Sequence, residues 1–139
     1  MKTIYALLAV LLITSAAHAY AEELVVVAGP ASTLSGLSSE ELSKLYLGQT
    51  SMDGDGREVT VYDLEDSTVR GDFSRAALSM SLIQLRAYRA KQVFTGRGRP
   101  PRQLKATELI ERLNNDVQAI GYLPPDQARG LKILYRLQL

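Results

Sequence analysis

Two hydroxyl side chains and a guanidinium lie close together in the middle of the sequence, at Ser67, Thr68 and Arg70. They follow a short polar loop and begin a stretch with helical apolar spacing. The first turn of a helix exposes unpaired N–H groups and the positive end of the helix dipole, so hydroxyls and an arginine there suit an oxyanion such as phosphate or sulfate. The same residues also fit an ordinary helix cap, with Arg70 paired to Asp66 or Asp72.

A second group of small and hydroxyl-bearing residues includes Ser32 and Thr33 and follows an apolar run at 24–28. Ligands of open α/β sheets bind in loops at the ends of strands, where small residues let them approach the backbone. A flexible connection from a strand to a helix explains this composition equally well, so both interpretations stay open.

Residue types that usually carry catalysis or bind metals are scarce. The sequence has no cysteine, and its one histidine, His18, lies in the N-terminal segment that we predict to be removed. This excludes a thiol nucleophile, a Ser-His-Asp triad and thiolate or imidazole metal ligands. The turn at 53–56 begins like a calcium loop, but Leu64 stands where that loop needs a bidentate acid, so a hairpin turn is the better interpretation. We expect a non-enzymatic protein without a metal or a cofactor.

The N-terminus predicts export. Residues 1–19 combine Lys2, an apolar run and small residues up to Ala19, which is the order of a cleavable signal peptide. An uncleaved anchor or a buried helix is the alternative. Removing this leader leaves residues 20–139, which we expect to form one domain, and it reduces 16 Lys and Arg to 15, against 15 Asp and Glu. A formally neutral chain argues against a nucleic-acid partner.

Positive charge is nevertheless concentrated in residues 86–105, here called the basic segment, which contains seven Lys and Arg and no acid. One interpretation is a solvated face, and the other is a surface that meets an anion or an acidic partner.

The apolar patterns predict a mixed sheet with helices on its faces. The run at 24–28 is apolar throughout, which is typical of a strand buried on both faces. The expected strands are 24–28, 58–63, 119–123 and 131–137, the expected helices are 39–47, 67–78, 82–94 and 107–113, and 95–102 is expected to be a loop.

Four short motifs occur in a recognisable order along the chain. They are Leu37-Ser38-Ser39-Glu40-Glu41-Leu42 with Tyr46-Leu47-Gly48, Ser67-Thr68-Val69-Arg70-Gly71-Asp72-Phe73, Phe94-Thr95-Gly96-Arg97-Gly98-Arg99-Pro100-Pro101, and Ala119-Ile120-Gly121-Tyr122. The set resembles the PstS-like periplasmic phosphate-binding proteins and covers residues 24–137. The third motif, followed by the fourth, is the most specific part of the resemblance.

The resemblance implies an α/β fold, a single lobe of a type 2 periplasmic binding protein with a mixed sheet flanked by helices. In that family two lobes close on an oxyanion, held by hydroxyls, helix N–H groups and an arginine. Ser67, Thr68 and Arg70 match the hydroxyl-rich helix start that helps to hold phosphate there. Ser32 and Thr33 are a looser match, and Gly96 with Arg97 is looser still.

The implied function is periplasmic binding of inorganic phosphate or a similar oxyanion, in the service of an ABC transporter. The chain departs from the family in having room for one lobe, and in reading Ser67-Thr68 where the family often has Ser-Gly-Thr. A second copy, as a homodimer, or another protein could complete the site. Alternatively, the chain has lost ligand binding and docks on a membrane transporter, sensor or porin through the basic segment.

Overall fold

Residues 22–139 are described by a computed structural model, and the leader predicted at residues 1–19 lies outside this range. Five strands and four α-helices follow one another, with one short 3-10 helix. In chain order they are β1 (Glu23–Ala28), α1 (Ser39–Tyr46), β2 (Thr60–Leu64), α2 (Ser67–Leu78), α3 (Leu82–Phe94), β3 (Arg102–Leu104), α4 (Ala106–Asn115), β4 (Ala119–Leu123), the 3-10 helix (Pro125–Gln127) and β5 (Lys132–Gln138). None of the helices within 22–139 has the length and apolar character needed to cross a bilayer.

The strands form one mixed sheet in the order β3-β2-β4-β1-β5, which confirms the predicted α/β class. β2 runs parallel to both β3 and β4, whereas β1 runs antiparallel to its neighbours β4 and β5. Because β1 lies inside the sheet with helices on both faces, it must be apolar on both sides. Val25, Val26, Val27 and Ala28 are all fully buried, as the sequence predicts.

Helices cover both faces of the sheet and bury different sides of β4. On one face, Tyr122 of β4 stacks on Phe73 of α2 with ring centroids 3.9 Å apart, and Tyr46 of α1 packs against the same pair. On the other face, α4 lies so close that a β-carbon at Gly121 would come within 2.5 Å of the Leu109 side chain. Only glycine fits there, because α4 needs the space for its own buried leucine.

Side-chain caps fix where the helices begin. The Ser38 hydroxyl accepts a hydrogen bond from the Glu41 N–H, and Ser81 forms a reciprocal capping box with Gln84 before α3. At α2 the cap is Asp66, whose carboxylate accepts from two N–H groups of the first turn. Because Asp66 caps the helix, the Ser67 hydroxyl does not serve as the cap.

The expected loop at 95–102 ends one residue early, because Arg102–Leu104 form the edge strand β3. This strand pairs in parallel with the end of β2, with Arg102 beside Tyr62 and Leu104 beside Leu64. Three residues are too few to show an alternating apolar pattern, so the sequence alone does not predict β3. The strand forms by pairing with β2. The pairing brings the end of the basic segment beside the end of β2.

Candidate functional site

The start of α2 carries the strongest sequence prediction, and its hydroxyls face solvent. Ser67 and Thr68 are both exposed. The Asp66 carboxylate accepts hydrogen bonds from the N–H groups of Thr68 at 2.9 Å and Val69 at 3.3 Å. An oxyanion at this helix start would compete with a negative charge that already satisfies the orphan N–H groups.

Arg70 points away from that helix start, back toward the end of β2. Its side chain is buried, and Nη1 donates to the carbonyl oxygens of Leu64 at 2.8 Å and Glu65 at 2.9 Å. The expected alternative, a pair with Asp66 or Asp72, is wrong: Asp72 pairs instead with Arg75. A buried guanidinium held only by carbonyl groups keeps its full positive charge, which is costly unless an anion comes near.

The loop with Ser32 and Thr33 lies at the other end of the sheet. Ala28 pairs with Ile120, which pairs with Val61 at the start of β2. The end of β2 lies about 10 Å further on, because a strand rises about 3.3 Å per residue. The five predicted ligand residues therefore do not form one site, since β1 runs against β2.

Within that loop, Ser32 is committed to local structure. Its side-chain oxygen accepts from the Leu34 N–H at 3.2 Å, and its carbonyl oxygen accepts from the Lys132 ammonium at 3.2 Å. Thr33 is exposed. A ligand role for these two residues stays a prediction, separate from anything bound near Arg70.

A buried polar network lies beneath the end of β2. The Asp63 side chain is 1% exposed; its Oδ2 accepts from Arg89 Nη1 at 2.7 Å, and its Oδ1 accepts from the Tyr122 hydroxyl at 2.9 Å. The Leu64 N–H donates to that hydroxyl in turn. Burial, and secondarily the Asp63 charge, raise the pKa of Tyr122 well above its ordinary value, so its hydroxyl remains a donor to Asp63. The network holds the Arg89 guanidinium in one orientation.

Three arginines meet at one cavity of about 240 Å³ between α3 and the strand β3, here called the arginine cavity. Arg70, Arg86 and Arg89 line it together with the amide of Gln103. None of the described residues that line it is acidic. The remaining walls are apolar, and they consist of Leu82, Leu85, Ala90, Val93 and Pro100.

The arginine cavity has more positive than negative charge around it. Arg89 is neutralised by Asp63, although its Nε is buried and has no hydrogen-bond partner among the described residues. Neither Arg70 nor Arg86 has a carboxylate within 4 Å among residues 22–139. Guanidinium groups offer several N–H donors to an oxyanion, and an anion bound in the cavity would offset their positive charge. The arrangement is suited to binding an oxyanion.

Neither a calcium-like loop nor a larger groove offers comparable chemistry. The Asp53 carboxylate accepts from the N–H groups of Asp55 and Arg57, so the turn at 53–56 is closed by its own aspartate. Among the described residues no cluster of acidic or histidine side chains suits a metal ion. A larger groove, about 630 Å³, runs beside Tyr88 and Arg97 and has no buried charge in its walls.

The sequence identified Arg70 as the principal cation but did not place Arg86, Arg89 and Gln103 beside it. A signal for Arg89 is present: it follows Leu85 by four residues, which puts a charged side chain on the apolar face of α3. Gln103 could not be found, because its position depends on the short strand β3.

Comparison with solved structures finds a fold relative, an ABC-type phosphate transport receptor from Vibrio cholerae. The two superpose with a TM-score of 0.52 and 15% sequence identity, over 81% of this chain and 45% of the receptor. The chain thus spans less than half of the receptor's length. No protein-family model and no curated protein matches the sequence. The likeness is one of fold, and the mixed five-stranded sheet with its four helices is consistent with a single lobe of a periplasmic binding protein-like fold.

Proposed function

We propose that the protein binds a small oxyanion in the arginine cavity and acts in the periplasm as a binding protein rather than as an enzyme. The observation that carries this proposal is the meeting of Arg70, Arg86 and Arg89 at one cavity without a lining acid. Support for a binding role comes from the fold shared with a phosphate transport receptor. The leader predicted at residues 1–19 supports the location.

Each arginine has a distinct part in this proposal. Arg70 is fixed by two carbonyl oxygens and Arg89 by Asp63, so both guanidinium groups are positioned before a ligand arrives. Preorganised donors bind more tightly because less conformational entropy is lost on binding. Arg86 is exposed and has no ion pair among the described residues, so it can close over the anion. Gln103 supplies a neutral amide donor.

Ser67 and Thr68 come near this site in sequence but do not line the arginine cavity. Under this proposal, the hydroxyls of Ser67 and Thr68 stay in solvent beside the Asp66 cap. Of the three residues predicted at this helix start, Arg70 alone contacts the ligand. A second copy of the chain or another protein, such as the membrane components of an ABC transporter, would cover the open side of the arginine cavity.

Isothermal titration of the mature chain with inorganic phosphate and sulfate at low salt tests the proposal. Saturable binding is expected, and Arg86→Ala should weaken it about tenfold, since a hydrogen bond to a charged group contributes roughly 1.5–3 kcal/mol. Arg86 is exposed, so the variant keeps the fold. Arg129→Ala is the matched control, because it removes the same charge from an exposed position outside the cavity. The absence of heat with both anions would contradict the proposal.

A second candidate function is protein docking, and the exposure of Phe94 favours it. This ring is 93% exposed at the end of α3, in the middle of the basic segment, and Ile83 on the same helix is 78% exposed. Apolar side chains in such a setting often mark contact surfaces. Sedimentation equilibrium would show whether the partner is a second copy: a dimer that Phe94→Ser dissociates would support docking, and a monomer at all concentrations would exclude self-association.

A further inference from the structure

We infer that the arginine cavity selects an oxyanion that carries a short aliphatic group, such as a monoalkyl phosphate, over inorganic phosphate. This inference rests on the proposed function, because it requires that the cavity binds an oxyanion at all. It concerns the apolar walls of the cavity, which play no part in binding the oxyanion itself.

The walls of the cavity differ in chemistry. The side chains of the arginines and Gln103 carry hydrogen-bond donors, whereas the side chains of Leu82, Leu85, Ala90, Val93 and Pro100 are apolar. Inorganic phosphate has oxygen on every side, and an oxygen that faces a hydrocarbon wall loses its water without gaining a donor. In a monoalkyl phosphate one of these oxygens carries the alkyl group, which has no hydrogen bonds to lose.

Along α3 the apolar cavity residues lie on both sides of the two arginines in sequence, and Ala90 and Val93 are the two that follow Arg89. Arg86, Arg89, Ala90 and Val93 recur at helical spacing and line the same cavity. A helix rises about 1.5 Å per residue, so Val93 lies about 6 Å beyond Arg89 along the axis. A head group held between Arg86 and Arg89 would direct a substituent along Ala90 toward Val93 and Pro100.

The size of the cavity limits the substituent. Its volume of about 240 Å³ lies below the range of roughly 300–1,000 Å³ that is typical for drug-sized ligands. A phosphate group with a chain of a few carbon atoms is the class that fits this volume. Because Val93 is 54% exposed, the end of the chain would stay partly in water.

The test compares inorganic phosphate with n-butyl phosphate by isothermal titration at about pH 8, where phosphate monoesters are dianions. n-Butyl phosphate is expected to bind about tenfold more tightly, since each partly buried methylene contributes a factor of roughly two. Val93→Ser should bring the ratio of the two affinities close to one, because it replaces the apolar wall that the chain would contact. Ile83→Ser is the matched control on the same helix, because Ile83 does not line the cavity and is 78% exposed.

The outcomes separate this inference from the proposal on which it rests. Equal affinities for the two phosphates would overturn the selection for an aliphatic group and leave oxyanion binding intact. A preference that survives Val93→Ser would overturn the assignment of the chain to this wall. No binding of either compound would overturn both the inference and the proposed function.

Discussion

Asp63 Oδ2 accepts a hydrogen bond from Arg89 Nη1 at 2.7 Å, and in this buried pair Arg89 lines the arginine cavity whereas Asp63 does not. The pair joins the end of β2 to the middle of α3, which are far apart in sequence. It neutralises one of the three cavity arginines and leaves the charges of Arg70 and Arg86 available. The cavity therefore keeps an excess of positive charge, which Arg70 and Arg86 carry.

Removing the Asp63 charge should destabilise the fold strongly. In Asp63→Asn, Arg89 keeps its charge in a buried position without a counter-charge, and breaking such a pair typically costs about 3–5 kcal/mol. Urea denaturation would measure the loss as a lower midpoint. Glu23→Gln provides the comparison, since its pair with Arg136 is partly exposed and should contribute less than about 1 kcal/mol. Equal losses in the two variants would show that the buried pair has no special role.

The Tyr122 hydroxyl should matter for stability, and more so in alkali. Tyr122→Phe keeps the stacking on Phe73 but removes the bonds to Asp63 and Leu64, which is expected to cost about 1–3 kcal/mol near neutral pH. Because burial raises the pKa of Tyr122 in the folded state, the unfolded chain releases this proton first as the pH rises. The contribution of the hydroxyl is complete below the unfolded pKa of about 10 and is lost above it.

Urea midpoints measured between neutral pH and strong alkali would check the sign. The wild-type protein should lose stability above about pH 10 more steeply than Tyr122→Phe. Parallel curves for the two proteins would contradict the raised pKa of Tyr122.

Two glycines should respond to alanine in opposite ways. Gly121→Ala places a β-carbon 2.5 Å from Leu109 Cδ1, so overpacking should cost about 1–3 kcal/mol. At Gly71 a β-carbon would meet only the flexible end of Arg75, at 3.5 Å, and alanine in the middle of α2 should stabilise by about 0.5–1 kcal/mol. Thermal unfolding of both variants would show the contrast, and two shifts of the same sign would contradict it.

Local patterns predicted most elements of the fold, because their signals lie within a few residues. The uniform apolar run of β1, the Ser81 capping box and the spacing of α2 each depend on neighbours in sequence. Strand direction is different, since β1 is antiparallel to β4 only through pairing across the sheet. This is why Ser32 and Ser67, both after predicted strands, lie at opposite ends of it.

The site was predictable only in part for a similar reason. Arg70 was recognised as the cation of interest, but its partners were expected among adjacent aspartates, whereas the structure gives it two backbone carbonyl oxygens. Arg86 and Arg89 belong to a basic segment whose charge suggested an anion or partner surface. Only the packing of α3 beside β3 shows that they share a cavity with Arg70.

The most direct test of the central claim is to locate phosphate binding at the arginine cavity rather than at the start of α2. Isothermal titration would compare the wild-type chain with Arg86→Ala and with the double variant Ser67→Ala/Thr68→Ala. All three residues changed in these two variants are exposed. We expect Arg86→Ala to weaken phosphate binding about tenfold and the double variant to bind phosphate as the wild type does. Binding that is lost in the double variant and kept in Arg86→Ala would overturn this assignment and place the ligand at the helix start.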